Sequence, residues 1–367
     1  MGFNCGIVGL PNVGKSTLFN ALTETAAAQA ANYPFCTIEP NVGRVEVPDQ
    51  RLSDLARIAK SAKVVPTQLE FVDIAGLVRG ASKGEGLGNQ FLANIREVEA
   101  VLHVLRCFDD DNITHVENTI DPLRDKEIID TELMISDLES LEKRYEPLAK
   151  KAKQGDKEAV MQAGVMGRCL DALRDGKPVR TVELVTEDEH KYFRQLQLLT
   201  SKPVLYVCNV LEKDVAEGNE HTKKVAEMAK SEGAAHVIIC AAIEAEIAQL
   251  GSDEEKKEFL ETMGLSEPGL NRVIRAGYQL LDLITFFTVG PKEARAWTVK
   301  RQSKAPQAAG VIHTDFERGF IRAETIDFSD YVTLGGEVPA KEAGKMRQEG
   351  KEYTVKDGDI MLFRFNV

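Results

Sequence analysis

The sequence lacks three signals that would each assign it to a broad class of protein. No two of its six cysteines have CxxC spacing, so there is no zinc signature. No apolar run reaches the roughly 18 residues that a membrane-spanning helix needs, so we expect no membrane association. The N-terminus has no basic segment followed by an apolar stretch, so we expect no secretory signal and a cytoplasmic protein.

An excess of basic residues is also missing. The chain has 46 Lys and Arg against 58 Asp and Glu, a formal net charge of −12. This balance argues against a protein that coats nucleic acid along its whole surface, although it leaves room for a local basic patch. A chain of 367 residues is too long for one compact core and predicts two or three domains. Nothing in the sequence demands an oligomer, so we expect a monomer.

A phosphate-binding loop is the strongest signal that is present. The segment Gly9-Leu10-Pro11-Asn12-Val13-Gly14-Lys15-Ser16 matches GxxxxGK[ST] without a gap. It lies between a short apolar segment and a helical pattern, which is the setting that such a loop needs. Its glycines let successive backbone N–H groups point at phosphate oxygens. Lys15 can then reach the β- and γ-phosphates as a catalytic group, and the Ser16 hydroxyl can ligate magnesium.

Two further segments could complete a magnesium and γ-phosphate site. Asp73 ends an apolar strand and can hold magnesium directly or through water, while Gly76 can place a backbone N–H against the γ-phosphate. Thr37, in the loop between the motifs, could complete the magnesium shell; the alternative is an ordinary turn threonine. The sequence therefore predicts a magnesium-dependent nucleotide hydrolase.

The base-recognition segment departs from the GTPase pattern, in which a strand ends in Asn-Lys-x-Asp and the aspartate accepts two hydrogen bonds from guanine. Here the segment is Asn209-Val210-Leu211-Glu212. Val210 replaces the lysine, and Glu212 is one methylene longer than the aspartate. The displaced carboxylate cannot keep both bonds to guanine, and each unpaired donor costs about 1–3 kcal/mol. Asn209 and nearby backbone groups could instead meet adenine, so we predict a preference for ATP over GTP.

Three residues bear on hydrolysis. Ras-like proteins place a glutamine after DxxG to orient the attacking water, but this chain has Leu77, which cannot polarise water. His115 is a candidate water-positioning group, with a solvated bystander as the alternative. The amide of Asn12 could help hold a potassium ion beside the phosphates, where an arginine finger otherwise acts.

Repeated glycines follow the DxxG segment, at positions Gly80, Gly84, Gly86 and Gly88. They predict a loop that orders on one nucleotide and loosens on another, with an ordinary flexible surface loop as the alternative.

The apolar segments predict the architecture. Buried-strand candidates alternate with helical patterns and predict a parallel sheet covered on both faces. These candidates are Phe3–Leu10, Leu69–Ile74, Ala100–Phe108, Pro203–Val210 and His236–Ala241.

Two heptad seams interrupt this alternation between about Thr131 and Arg174. They are joined at Gln154-Gly155-Asp156, so they predict an antiparallel helical hairpin, with two ordinary amphipathic helices on the sheet as the alternative. Pro147 should kink the first helix.

After Leu283 a small β-rich domain is expected. Its predicted strands are Phe286–Val289, Arg295–Lys300, Phe320–Ile326, Tyr353–Val355 and Ile360–Phe365.

Together, these motifs resemble the YchF family, the Obg-like ATPases of the translation-factor-related P-loop class. The resemblance also covers Gly269-Leu270-Asn271-Arg272-Val273-Ile274 and the stretches from Ala305 to Gly310 and from His313 to Phe316. It departs from the GTPase Ser-Ala-Lys pattern at Cys240-Ala241-Ala242.

The resemblance implies an α/β P-loop NTPase with an inserted helical hairpin and a C-terminal TGS domain, a ubiquitin-like β-grasp module. The expected boundaries are 1–128 and 195–280 for the nucleotide domain, 129–194 for the hairpin and 281–367 for the TGS domain. It also implies ATPase activity exceeding GTPase activity, association with the ribosome or a ribosomal subunit, and magnesium bound by Ser16 and Thr37. The expected nucleotide contacts are Asn12, Val13, Gly14, Lys15, Ser16, Thr17, Gly76, Asn209, Val210 and Glu212.

Two alternatives remain beside an ATPase switch in translation or stress regulation. One is a conventional GTPase of the same fold. The other is a nucleotide-sensing adaptor whose hydrolysis is incidental. RNA contact through the segment Lys300 to Lys304, with Arg272 and Arg275, is a further hypothesis, against a merely solvated basic face.

Overall fold

The computed structural model describes residues 3–30, 42–74, 87–110, 113–117 and 119–366. These residues form two compact units, one within 1–43 and 70–273 and the other within 44–69 and 274–367. The strands are β1 Asn4–Val8, β2 Val42–Glu46, β3 Val64–Val65, β4 Gln68–Asp73, β5 Ala100–Arg106, β6 Val204–Asn209, β7 Ala235–Ile239, β8 Leu283–Val289, β9 Ala294–Lys300, β10 Phe320–Ile326, β11 Arg347–Glu349 and β12 Ile360–Phe365. The helices are α1 Lys15–Ala30, α2 Gln50–Ala59, α3 Leu87–Glu97, α4 Pro122–Lys153, α5 Lys157–Arg174, α6 Glu187–Leu196, α7 Glu220–Ser231, α8 Ala241–Gln249, α9 Asp253–Thr262, α10 Gly269–Leu280, α11 Ala305–Ile312, α12 Thr314–Arg318, α13 Phe328–Leu334 and α14 Glu337–Glu342.

The first sheet has the strand order β2-β4-β1-β5-β6-β7. Strand β1 pairs in parallel with β4 and β5, and the parallel ladder continues from β5 to β6 and from β6 to β7. Every residue of β5 and of β6 is buried, as expected for central strands covered on both faces. The predicted parallel sheet is therefore confirmed, and its strand ends meet at one edge where loops can build a site.

The predicted helical hairpin is also present. Helices α4 and α5 are joined at residues 154–156, and they pack as an antiparallel pair around Leu141, Met166 and Leu170. The side chain of Asp156 accepts a hydrogen bond from Ala159 N–H and so caps the second helix. Helix α4 is continuous through Pro147, and the kink expected there stays a prediction.

The second unit is built on a mixed sheet with the order β11-β10-β12-β8-β9-β3. Consecutive residues of β8 face opposite sides of this sheet, because side chains alternate along a strand. Phe286 belongs to a core with Ala308 and Phe363, whereas Phe287 belongs to a second core with Leu55 and Tyr331. The sheet is therefore covered on both faces.

Residues 44–69 belong to this second unit rather than to the nucleotide domain expected for them. Leu52 and Leu55 of α2 pack in the core that contains Phe287, and β3 pairs in parallel with β9. Arg51 adds an ion pair, its Nη1 lying 2.7 Å from Asp357 Oδ2. An apolar helical face shows that a helix packs, but not against which partner, so the sequence pattern did not indicate this placement.

Several predicted strands differ from the structure. Strand β1 ends at Val8 rather than Leu10, β5 ends at Arg106 rather than Phe108, and β8 begins at Leu283 rather than Phe286. Tyr353–Val355 is not a strand, since Thr354 makes one isolated bridge with Lys304. The segment His236–Ala241 ends earlier than predicted, because β7 stops at Ile239 and α8 begins at Ala241.

Candidate nucleotide-binding site

The loop between β1 and α1 turns sharply before the helix begins at Lys15. Asn12 and Gly14 have left-handed backbones, with φ of 62° and 93°. Leu18 N–H donates to the Gly14 carbonyl at 3.0 Å, which closes the first turn of α1. The N–H groups at the start of a helix have no helical acceptor and carry its positive dipole, so this end suits a phosphate.

Lys15 and Asp73 bring opposite charges together at the loop. The Lys15 Nζ lies 3.4 Å from the Asp73 Oδ1, and both side chains are largely buried. Asp73 reaches this position because β4 lies beside β1, with Asp73 paired to Ile7. Ser16 and Thr17 are exposed in the first turn of α1. An ammonium group, a hydroxyl and a carboxylate at one sheet edge form a donor set that fits a triphosphate with magnesium.

Several expected residues lie outside the part of the chain that the structure describes. These are Thr37, Gly76 and Leu77, together with the glycines at 80, 84 and 86. Gly88 is described, and it lies in α3 rather than in the predicted loop. Within the described ranges, no group of three or more His, Cys, Asp or Glu side chains is placed to hold a metal.

Asn209 connects the phosphate loop to the start of α8. Its Nδ2 donates to the Val13 carbonyl at 2.9 Å, and its Oδ1 accepts from Ala241 N–H at 3.0 Å. The residue is only 5% exposed. The amide expected to read adenine therefore binds the phosphate loop and the start of α8, which leaves base recognition to other groups.

A cavity of about 430 Å³ lies beside Asn209. Its lining residues are Phe108, Asp110, Ile113, Asn209, Val210, Leu211, Glu212, Lys213, Cys240 and Ala242. Val210 is buried, whereas Glu212 is exposed in a single helical turn that ends at Asp214. Burial, with the nearby Glu212 charge, raises the pKa of the Cys240 thiol, so the cavity presents a neutral sulfur at neutral pH.

Arg106 supports the cavity wall and was not among the residues predicted from the sequence. It is 1% exposed at the end of β5, and its guanidinium donates to the carbonyls of Phe108 at 3.1 Å, Asp110 at 3.2 Å and Ile113 at 2.9 Å. These three residues all line the cavity. An arginine at the end of a mostly apolar strand was the available signal, because such a group must find buried acceptors.

His115 lies in a different environment from that expected of a water-positioning group. It is 4% exposed, its Nε2 lies 2.8 Å from Asp125 Oδ2, and its Nδ1 accepts from Glu117 N–H at 3.1 Å. Because Nδ1 is an acceptor, the proton of the neutral ring is on Nε2 and is donated to Asp125. Both nitrogens are engaged within the protein, so this arrangement argues against the catalytic role and instead anchors the loop.

Asn12 joins the phosphate loop to that same segment. Its Nδ2 donates to the Thr114 carbonyl at 3.1 Å. The amide nitrogen is thus committed to the protein, and the oxygen is the atom that could face a cation. The potassium site at Asn12 stays a prediction.

The basic residues expected to contact RNA are partly committed to the protein. Arg272 donates to the Ile238 carbonyl at 3.0 Å, and Arg301 Nε lies 2.8 Å from Asp282 Oδ1. Lys304 donates to the Glu352 carbonyl at 2.9 Å. These contacts reduce the charge available to a polyanion, and the RNA hypothesis stays a prediction. No described helix is long and apolar enough to cross a membrane.

Two family models match separate parts of the chain. Residues 4–137 match MMR_HSR1, described as 50S ribosome-binding GTPase. Residues 283–366 match YchF-GTPase_C, described as Protein of unknown function (DUF933).

Full-length relatives decide the family. A protein of Escherichia coli O157:H7 named Ribosome-binding ATPase YchF is 59% identical over 367 residues, and one of the same name from Bacillus subtilis (strain 168) is 56% identical over 369. Each match covers 100% of this chain and 100% of the relative. The chain belongs to the YchF family. A solved structure described as the Schizosaccharomyces pombe YchF GTPase has a TM-score of 0.88 at 38% identity, covering 99% of this chain and 98% of that chain.

Membership of the YchF family confirms two expectations. The resemblance to the YchF family inferred from the motifs is correct. The predicted α/β P-loop fold is also correct, since the chain matches the solved YchF structure over almost its whole length. The names of these proteins differ over the nucleotide, since the bacterial relatives are called ATPases and the yeast structure a GTPase. The base end of the site therefore matters most for assigning the reaction.

Proposed function

We propose that the protein is a magnesium-dependent ATPase that prefers ATP over GTP and acts with the ribosome in translation or stress regulation. One observation carries the proposal: a complete phosphate loop is joined through Asn209 to a base cavity whose guanine-reading carboxylate is replaced by Glu212. The names of the bacterial relatives support both the nucleotide and the ribosome.

The phosphate end supplies the chemistry of hydrolysis. A bound triphosphate would compete with Asp73 for the Lys15 ammonium, now 3.4 Å from that carboxylate, and Lys15 would then stabilise charge on the β- and γ-phosphates. The Ser16 hydroxyl and the released Asp73 carboxylate would hold magnesium, with Thr37 as a further ligand. Magnesium, when bound, neutralises phosphate charge. In this proposal Gly76 contributes a backbone N–H.

The base end favours adenine because it lacks the lysine and the aspartate carboxylate that bind guanine in GTPases. Val210 is 2% exposed and presents an apolar surface where GTPases have lysine. Glu212 is displaced from the aspartate position by one methylene, so guanine donors would be left unpaired. With the Asn209 amide committed, backbone groups around 210–212 and 240–242 are the proposed partners of adenine.

The remaining features extend this proposal. The second unit would act as a TGS domain that contacts the ribosome, the α4–α5 hairpin would be a separate insertion, and potassium would bind near Asn12. The protein would act in the cytoplasm as a monomer, because the ribosome is the proposed partner and a single chain contains the whole site.

Hydrolysis of ATP and GTP, each with magnesium, tests the proposal with and without ribosomal subunits. We expect ATP to be hydrolysed faster, a rise in rate with subunits, and loss of about 100- to 1,000-fold in Lys15→Ala. Lys223→Ala removes an exposed lysine on α7 that pairs with Glu220, so it should change nothing. If the wild type hydrolysed ATP no faster than Lys15→Ala does, ATPase activity would be refuted. That result would favour a nucleotide-sensing adaptor.

A GTPase is the second candidate, favoured by the description of the yeast structure and of the N-terminal family model. It predicts faster turnover of GTP than of ATP in the same assay.

A further inference from the structure

The start of α10 carries a motif that nucleotide binding does not itself explain, Gly269 to Ile274. It contacts the chain at both ends of the short segment 240–242, of which Cys240 and Ala242 line the base cavity. After the segment, the Glu244 carboxylate accepts from Gly269 N–H at 2.7 Å and from Leu270 N–H at 3.1 Å. Before the segment, Arg272 donates to the Ile238 carbonyl at 3.0 Å.

These contacts are buried, and they require a charged carboxylate and a closely approaching backbone. Glu244 is 0% exposed, so its carboxylate depends on the two N–H groups and on the positive dipole of α10. Burial raises the pKa of Glu244, and the two backbone N–H groups and the Arg272 charge on the same helix turn act in the opposite direction and favour the ionised carboxylate. A Cβ at Gly269 would lie 2.7 Å from Glu244 Oε1 and 3.1 Å from Ile239 Cγ2, so any larger residue would force the carboxylate to shift.

The segment that they hold is connected to the rest of the site. Ala241 N–H donates to Asn209 at 3.0 Å, and Val210 N–H donates to the Ile239 carbonyl at 2.9 Å. A shift of this segment would therefore change the wall of the cavity and the backbone groups beside Val210.

We propose that Glu244 and Arg272 are positioning residues that set nucleotide-base affinity by fixing segment 240–242 against the start of α10. The inference rests on the proposed function for the identity of the nucleotide. Neither side chain lines the cavity, so each acts through the segment rather than by touching the base.

Glu244→Gln tests the proposal, since it keeps the size of the side chain but turns one acceptor into a donor against an N–H group. We expect ATP to bind about 10-fold more weakly, which corresponds to about 1.4 kcal/mol. The affinity for inorganic tripolyphosphate, which has no base, should change less than about 2-fold. Glu246→Gln makes the same charge change on the exposed face of α8 and should bind ATP as the wild type does.

Gly269→Ala provides a second route if Glu244→Gln fails to fold. Its new methyl group would press on the carboxylate, and the expected result is the same selective loss of ATP affinity. Gly164→Ala in α5 is the control, because its Cβ would meet nothing within 4 Å.

The outcomes separate the two proposals. Wild type that binds no ATP overturns the ATPase proposal. Wild type that binds ATP, together with folded Glu244 or Gly269 variants of unchanged ATP affinity, overturns the positioning role alone. Equal losses for ATP and tripolyphosphate would also overturn it, since they would indicate general damage to the site.

Discussion

The phosphate end and the base end of the site are built in different ways. The phosphate end is one continuous loop followed directly by its helix, with Asp73 added from the neighbouring strand. The base cavity is assembled from three separate parts of the chain, with Phe108, Asp110 and Ile113 in the first, residues 209–213 in the second and Cys240 and Ala242 in the third. Arg106 binds carbonyls of the first part, and Glu244 and Arg272 make contacts on either side of the third. A contiguous site is specified by its own residues, whereas an assembled one depends on its supports.

Asn209 is the point where the two ends meet. It holds Val13 of the phosphate loop and Ala241 of the base segment with one buried amide. A substitution in one end of the site should therefore act mainly on ligand binding at that end. A substitution of Asn209 itself should weaken binding at both ends.

Gly14→Ala should cause the largest loss of ligand affinity. It acts directly on the phosphate loop. Its φ of 93° is unfavourable for alanine, and the added Cβ would lie 2.2 Å from Asn209 Nδ2. Strain and overlap together should cost about 4 kcal/mol. Tripolyphosphate and ATP should both lose affinity by at least about 100-fold. Gly164→Ala is the control, and a Gly14→Ala protein that binds both ligands normally would contradict the geometry of the loop.

His103→Leu changes the sheet that carries both the phosphate end and the base end of the site. It should alter the stability of the fold rather than the affinity of one end. His103 lies on β5 between Val8 of β1 and Tyr206 of β6, the strands that lead to the two ends. Burial lowers its pKa from 6.5 to about 4. Between these values the unfolded chain binds a proton that the folded chain does not, so stability falls as the pH falls through that window.

The cost of this proton amounts to about 3 kcal/mol between about pH 7 and pH 4. Urea unfolding at both pH values measures it, and His103→Leu should lose about 3 kcal/mol less than the wild type. His236→Gln, at an exposed position on β7, is the control. An unchanged pH dependence in His103→Leu would show that other groups carry the effect.

Asn209→Ala should weaken both ends together. It leaves the Val13 carbonyl and the Ala241 N–H without their partner, at about 2 kcal/mol. Titration should show ATP and tripolyphosphate both binding about 10- to 30-fold more weakly. Asn20→Ala, on the exposed face of α1, should bind normally. A loss confined to ATP would mean that Asn209 reads the base, as the sequence analysis expected.

The phosphate loop, the parallel sheet and the helical hairpin could be predicted because each is specified by a continuous pattern. The ends of β10 and β12 were predicted to the residue for the same reason. The role of Asn209 could not be predicted, because its partners lie 196 and 32 residues away in the chain. The pairing of His115 with Asp125 could not be predicted, because a lone histidine in a loop gives no sign of the buried carboxylate beside it. The placement of residues 44–69 was missed because an apolar helix face does not name its partner.

In the proposed function, Glu212 and Val210 make the base end of the site favour adenine over guanine. Titration of ATP and GTP, each with magnesium, into the wild type and Glu212→Asp tests it most directly. We expect wild type to bind ATP clearly more tightly than GTP, and Glu212→Asp to narrow the difference by about 1 kcal/mol, or about 5-fold, because the shorter carboxylate approaches the position that guanine requires. Tighter binding of GTP by the wild type would contradict the account and place the protein among conventional GTPases.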